Sequence, residues 1–314
     1  MCIRDRTIIW EFIPPVALEG DFVDAKIGDV NGDGVPELVV VMNLTRFGDN
    51  STPHVFIATY DWDGTHFSEI PSASLDIGKE NKSLRCNNFQ LLDQDADGEQ
   101  EIVLSLGSPF RGFAIVNSSP TGLSIVKKIR PDQLLVGSGL LYVAALDYDF
   151  DGYDDVVAFS PDGSIVKAQP FYNIGGVFDS GHLVKKEVEG LSGILTHSLE
   201  LTDWDSDGFS DVLVSFNSGD IIAFTLTPAT LVIDLLPITS GPLTQICVAD
   251  FNQDTYKDVL TLSSEINALT LISGKDGGVD NIENAMRKIP TEMQVFSMLP
   301  MLKSGVYNGN VLLS

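Results

Sequence analysis

Aspartates on alternate residues, followed by a glycine and a further acid, recur along this chain. The first copy is Asp29-Val30-Asn31-Gly32-Asp33-Gly34-Val35-Pro36-Glu37, and the second runs from Asp93 to Glu101. The third spans Asp147 to Asp155, the fourth Asp203 to Asp211, and a worn fifth Asp250 to Asp258. The shared pattern is D-x-[DN]-x-D-G-x-x-[DE]. Alternate residues of a tight loop can turn their oxygens towards one point, which suits a hard cation such as Ca²⁺ with its about six to eight oxygen ligands. Positions 1, 3 and 5 supply side chains of this kind. Glycine at position 6 answers a backbone angle that side chains resist. Position 7 would offer a carbonyl, and position 9 a carboxylate from the other side. An EF-hand begins in the same way but needs an acid at its twelfth position. Here that place holds Val40, Leu104, Ala158, Val214 and Thr261, so the helix-flanked reading fails.

Something must hold these loops, and the flanking residues say what. Short apolar runs precede them (Phe89-Gln90-Leu91-Leu92, Val143-Ala144-Ala145-Leu146) and follow them (Leu38-Val39-Val40-Val41, Val156-Val157-Ala158-Phe159). Runs of four to six residues rich in Val, Ile and Leu suit buried strands better than helices. Each acidic loop therefore joins two strands. Turn chemistry at Asp61-Trp62-Asp63-Gly64, Pro161-Asp162-Gly163, Asn217-Ser218-Gly219-Asp220 and Ser273-Gly274-Lys275-Asp276-Gly277 announces a further pair of strands in most repeats. The loops begin at 29, 93, 147, 203 and 250, a loosely regular period that indicates an array of one supersecondary unit. Four strands per unit predict an all-β fold, a β-propeller of four-stranded antiparallel blades.

In this strand–loop–strand setting the loops resemble the FG-GAP, or VCBS-like, repeats of integrin-α-type β-propellers, over roughly residues 25 to 265. That resemblance implies structural Ca²⁺, an extracellular or lumenal location, and commonly seven blades. It also implies ligands by position: Asp29, Asn31, Asp33 and Glu37; Asp93, Asp95, Asp97 and Glu101; Asp147, Asp149, Asp151 and Asp155; Asp203, Asp205, Asp207 and Asp211. Val35, Glu99, Tyr153 and Phe209 would add carbonyls. The fifth loop keeps Asp250, Asn252, Asp254 and Asp258 but has Thr255 where glycine belongs. A β-branched residue there costs on the order of 1–2 kcal/mol, so weak binding or another path is expected. Four filled sites and a fifth weak one are the expectation, with the first loop weakened by Asn31.

Composition narrows the function. The 314 residues carry a net charge of −25 with only 19 Lys and Arg, which argues against a nucleic-acid partner. No apolar run approaches the roughly 18 residues of a membrane span. Cys2, Cys86 and Cys247 make no disulfide framework; a Cys86–Cys247 pair is conceivable, and buried thiols are the expected state. Sequons stand at Asn43, Asn50, Asn81 and Asn117, in line with a glycoprotein. Residues 1–6 are charged, are not a signal peptide, and are expected to be non-native or disordered. Residues 7–314 read as one propeller domain, incomplete at both ends, with blades starting near 25, 89, 143, 199 and 246 and a degenerate one near 298. Asp280 to Lys288 could form a short helix.

Catalytic signatures are sparse. His54, His66, His182 and His197 show no metal-ligand spacing, and no nucleophile elbow or phosphate loop appears. Trp10, Trp62 and Trp204 could stack on sugars but are expected to pack between blades. Two classes stay open. One is a non-catalytic adhesion module binding a protein or glycan on a propeller face, on a secreted or membrane-anchored protein. The other is a calcium-dependent carbohydrate-active enzyme, a polysaccharide lyase-like propeller, which would show a cluster of His, Lys, Arg or Tyr on one face. The low basic count favours the non-enzymatic module.

Overall fold

A computed structural model describes residues 18–46, 54–68, 71–78, 84–119, 121–133, 135, 140–187, 195–216, 218–227, 230–236, 243, 245–251, 253–263, 268–275, 278–281 and 287–288. Trp10, Cys2, Asn252, the sequons at Asn50 and Asn81, and both terminal expectations lie outside them.

The fold is all-β and consists of five antiparallel blades of the propeller type. Blade one is β1 (Leu18–Gly28), β2 (Glu37–Arg46), β3 (His54–Tyr60) and β4 (Ala73–Ile77), hydrogen-bonded in that order. Blade two repeats the meander with β5 (Cys86–Leu92), β6 (Glu101–Leu106), β7 (Gly112–Asn117) and β8 (Ser124–Ile129). Blade three has β9 (Tyr142–Leu146), β10 (Asp155–Asp162), β11 (Ile165–Ile174) and β12 (Val177–Ser180), with β13 (Val184–Glu187) also on β11. Blade four is β14 (Leu195–Thr202), β15 (Asp211–Phe216), β16 (Ile221–Thr227) and β17 (Thr230–Leu236). Blade five is β18 (Gln245–Ala249), β19 (Asp258–Ser263), β20 (Ala268–Lys275) and β21 (Gly278–Asn281), with β22 (Arg287–Lys288) also on β20. The expected helix over 280–288 is replaced at its described ends by strands β21 and β22.

The burial pattern explains the meander. The second strands β6 and β15 are buried at every residue; on β6, Ile102 and Leu104 pack with blade one and Val103 with blade three. The fourth strand β8 alternates exposed and half-buried residues, as an edge with one wet face does. Three of the turns expected from the sequence hold a left-handed glycine: Gly64, Gly163 and Gly219 have φ of 97°, 62° and 102°.

The chain divides into two compact units: Met1–Ala145 with Gly152–Ser160 and Ala168–Leu183, and Leu146–Asp151 with Pro161–Lys167 and Val184–Ser314. Within the first, Val39, Val41 and Ile57 of blade one pack with Phe89, Ile102 and Leu104 of blade two. Leu92, Val103 and Phe113 in turn pack against Val143, Val156 and Phe171. Two asparagines fasten this packing. Asn43 donates to the Cys86 carbonyl (2.9 Å) and accepts from the Cys86 N–H (2.8 Å). Asn88 does the same to Val143, donating at 2.7 Å and accepting at 3.0 Å. Asn43 is buried, so this sequon is shielded within the folded chain. Within the second unit, Trp204, Leu213 and Ile221 of blade four pack against Ile246, Val259 and Ile272 of blade five. Trp204 is thus a core residue between blades. Cys86 and Cys247 are buried and form no disulfide.

Candidate metal centre

Each acidic loop links the first strand of a blade to the second, and the fold of the loop is written in its hydrogen bonds. The position 1 aspartate accepts from the N–H of position 6: Asp29 from Gly34 (2.9 Å), Asp93 from Gly98 (3.0 Å), Asp203 from Gly208 (3.2 Å) and Asp250 from Thr255 (2.9 Å). The position 5 aspartate accepts from the N–H of position 7, as Asp33 does from Val35, Asp97 from Glu99, Asp207 from Phe209 and Asp254 from Tyr256. The position 9 acid reaches back to the N–H of position 2: Glu37 to Val30, Glu101 to Gln94, Asp211 to Trp204 and Asp258 to Phe251. These bonds curl nine residues around their own carboxylates.

Position 6 is left-handed in all five loops, with φ of 81°, 92°, 93° and 94° at Gly34, Gly98, Gly152 and Gly208 and 83° at Thr255. Thr255 therefore keeps the common left-handed angle; of the two expected outcomes, another path or weak binding, the first is not taken, and its backbone carries the strain. Position 4 is left-handed as well: Gly32, Ala96, Phe150, Ser206 and Gln253 have φ between 59° and 72°. This second left-handed site was hidden in the sequence because the five residue types share no chemistry.

Three loops bring carboxylates together. Asp93, Asp95 and Glu101 each place an oxygen within 4.8 Å of the others, as do Asp147, Asp149 and Asp155, and Asp203, Asp205 and Asp211. The grouping takes positions 1, 3 and 9. The position 5 residues Asp97, Asp151 and Asp207 stand outside it and are exposed. In the first loop the position 3 residue is Asn31, whose amide donates to Glu37 Oε1 (3.1 Å) and Asp33 Oδ2 (3.4 Å). There an N–H₂ group fills the place where the other loops put a third carboxylate.

The electrostatics of the groups show strain. Burial is the largest cause raising Glu101 and Asp211 to about 7, and neighbouring loop carboxylates add to it. Glu37 is likewise pushed up to about 7 by burial, reinforced by Asp33 and Asp29. Asp95, Asp149 and Asp205 are raised by burial and then by the adjacent aspartates Asp97, Asp151 and Asp207. In the fourth loop Asp203 Oδ1 is buried and accepts no hydrogen bond, although it sits in the group with Asp205 and Asp211. Clustered oxygens, a buried oxygen left without a donor, and carboxylates driven towards neutrality are what a hard divalent cation would relieve. The donor sets of loops two, three and four fit Ca²⁺.

Basic residues gather elsewhere, at the end of β8. The Arg130 guanidinium lies 5.1 Å from the Phe110 ring, with Lys128 5.9 Å from the same ring, and Lys127 lies 5.2 Å from Phe178. Beside them a cavity of about 570 Å³ is lined by Arg130, Pro131, Asp132, Gln133, Gln169 and Ser180. Buried Gln169 holds its rim, accepting from the Asp132 N–H (2.9 Å) and donating to the Gly181 carbonyl (3.0 Å). Of the histidines, His54 is buried against Asp76 (3.5 Å) and His66 is exposed beside Asp63 (2.9 Å), and neither touches an acidic loop.

No protein-family model matches the chain, and no curated protein matches it. Solved structures do. The exotype rhamnogalacturonan lyase YesX aligns with a TM-score of 0.54 at 17% identity, over 83% of this chain and 49% of its own. The rhamnogalacturonan lyase YesW and that of Bacillus licheniformis each align with a TM-score of 0.49 at 14% identity, covering 57% and 58% of their own lengths. The chain thus spans about half of the lyases it resembles. The likeness at 17% identity is one of fold, and it agrees with the propeller expected from the loops. The non-enzymatic reading is corrected here. It leaned on a propeller scaffold and a scarcity of basic residues, yet the YesX lyase is an enzyme on the same scaffold. Among the described residues no helix is long and apolar enough to cross a membrane.

Proposed function

We propose that this chain is a calcium-stabilised propeller that acts on an acidic polysaccharide, in the manner of a polysaccharide lyase. The observation that carries this reading is the cavity where Arg130, Asp132, Gln133, Gln169 and Ser180 converge. A uronate unit asks for a cation to pair its carboxylate and for several groups that exchange hydrogen bonds with its hydroxyls. That cavity offers both, in a chain that is otherwise strongly anionic. Neutralising a uronate carboxylate acidifies the neighbouring C–H, which is the first requirement of β-elimination; Arg130 is suited to that pairing. A second cavity of about 550 Å³, lined by Asn31, Asp33, Glu37, Thr59, Asp61 and Ser72 among others, has the hydroxyl and carboxylate lining that a polyol takes. The likeness of fold to YesX supports the carbohydrate assignment.

Calcium has a structural part in this reading. Asp93, Asp95, Asp97 and Glu101, Asp147, Asp149, Asp151 and Asp155, and Asp203, Asp205, Asp207 and Asp211 would hold it, with carbonyls of Glu99, Tyr153 and Phe209. The first and fifth loops would hold it weakly. Bound ions would cancel the repulsion inside each loop and fix the strands on either side. The reading places the protein outside the cell or in a lumen, where calcium is plentiful.

Affinity electrophoresis tests the proposal. Gels containing rhamnogalacturonan should retard the chain in Ca²⁺, and gels containing a neutral glucan should do so less. Arg130→Ala should abolish most of the difference, and elimination should appear as new ultraviolet absorbance of an unsaturated product. Equal migration in all gels, with no such product, would overturn it.

A further inference from the structure

The five loops serve as controls for one another, and one of them departs. Position 4 holds Gly32, Ala96, Ser206 and Gln253 in four loops, which are small or polar residues at a left-handed backbone. In the third loop it holds Phe150, at φ 60°. The loop path sets this angle in all five copies, and a bulky side chain is the least suited to it. Phe150 is also 58% exposed, so core packing does not explain it. Its ring meets that of Phe209, position 7 of the next loop, at 5.0 Å between centroids and 34° between planes. The same register relates the first two loops. There a Cβ placed on Gly32 would strike the Glu99 side chain, again position 4 against position 7. A site filled elsewhere by a glycine and a glutamate is filled here by two aromatic rings.

We propose that Phe150, backed by Phe209, is a stacking platform for a neutral pyranose unit of a polysaccharide, a subsite apart from the Arg130 cavity. The argument rests on the carbohydrate reading above and adds the sugar type and the place. A sugar ring presents a face of polarised C–H bonds, which suits the negative face of an aromatic ring, and hydroxyls at its edge. The two loops that carry the rings hold Asp147, Asp149, Asp151, Asp154 and Asp155, and Asp203, Asp205, Asp207 and Asp211. Even with one divalent ion in each, both loops stay net negative and repel a carboxylate, so the unit taken is a neutral one. An exposed aromatic ring held from behind by a second loses little conformational freedom on binding.

Three proteins decide the matter: the wild type, Phe150→Ala and Phe150→Gly, each in Ca²⁺ in gels containing rhamnogalacturonan. Both variants remove the ring, and loss of an aromatic anchor should weaken retardation about tenfold. Phe150→Gly relieves the left-handed angle, so it should melt about 2–4 °C above Phe150→Ala. Lost binding in the more stable variant then cannot come from unfolding. Both variants should keep the calcium-dependent rise in melting temperature. Undiminished retardation of both variants would overturn the platform while leaving the polysaccharide reading in place. Failure of the wild type to bind would sink that reading first, and concentration-dependent self-association lost with Phe150 would assign the rings to an interface between copies instead.

Discussion

At the residue scale the acidic loops behave as sites waiting for positive charge. Glu101 and Asp211 have folded values of about 7 against ordinary values of 4.5 and 3.8. A carboxyl raised on folding stabilises the fold fully below its unfolded value and loses that contribution as pH rises through the folded one. The calcium-free protein should therefore lose stability between about pH 4 and 7, and calcium should bind more tightly across the same window as protons leave. Melting curves against pH, with and without Ca²⁺, check this; parallel curves would contradict it. Glu101→Gln should separate the two effects, because an amide can donate to the cluster as Asn31 donates to Glu37 in the first loop. At pH 8 the variant should melt higher than wild type without calcium and gain less from calcium. Thr255 supplies a second test. Replacing it by glycine at φ 83° should stabilise the protein by about 1 kcal/mol, read as an upward shift in melting temperature. A drop would mean that the threonine side chain contributes more than its backbone costs.

At the scale of elements, the blades are joined by side chains that imitate strand pairing. Asn88 satisfies both the N–H and the C=O of Val143 from the neighbouring sheet. Asn88→Ala should leave those two buried groups without partners and cost about 2–4 kcal/mol, measured by urea unfolding. A cost under about 0.5 kcal/mol would show that the apolar packing of Leu92, Val103 and Phe113 holds these blades by itself. The acidic loops are coupled along the same direction. The Gln100 N–H donates to the Asp29 carbonyl (2.8 Å), and the Asp154 N–H to the Asp93 carbonyl (3.1 Å). An ion that stiffens one loop therefore acts on a backbone hydrogen bond of its neighbour.

For the whole molecule the controlling quantity is charge. A net charge of −25 concentrated in repeated loops works against the folded state. Calcium should raise the melting temperature well above the value in EDTA, and the gain should exceed that from an equal ionic strength of NaCl, which only screens. Identical melts in EDTA and Ca²⁺ would end the calcium assignment. A strongly anionic chain with a cation in one of its cavities also gives direction to binding. On the proposed reading an acidic polymer would be repelled from most of the surface and drawn to the Arg130 cavity.

The loops, the strand–loop–strand order and the blade fold were all legible in the sequence. Each depends on residues within about ten positions of one another, and a nine-residue loop folds around its own side chains. Tertiary structure alone decided what those repeats do to each other. Trp204, placed between two ligands by its number, is buried because blade five closes over it. Phe150 and Phe209 stand in different loops, 59 residues apart in sequence, and only the folded chain brings their rings together. Arg130 and Gln169 are separated by a whole strand–loop–strand passage and meet at one cavity because Gln169, midway along β11, accepts from the Asp132 N–H just beyond β8. Local spacing can dictate a loop and its ion; a binding surface assembled from different loops exists only once packing has set their register.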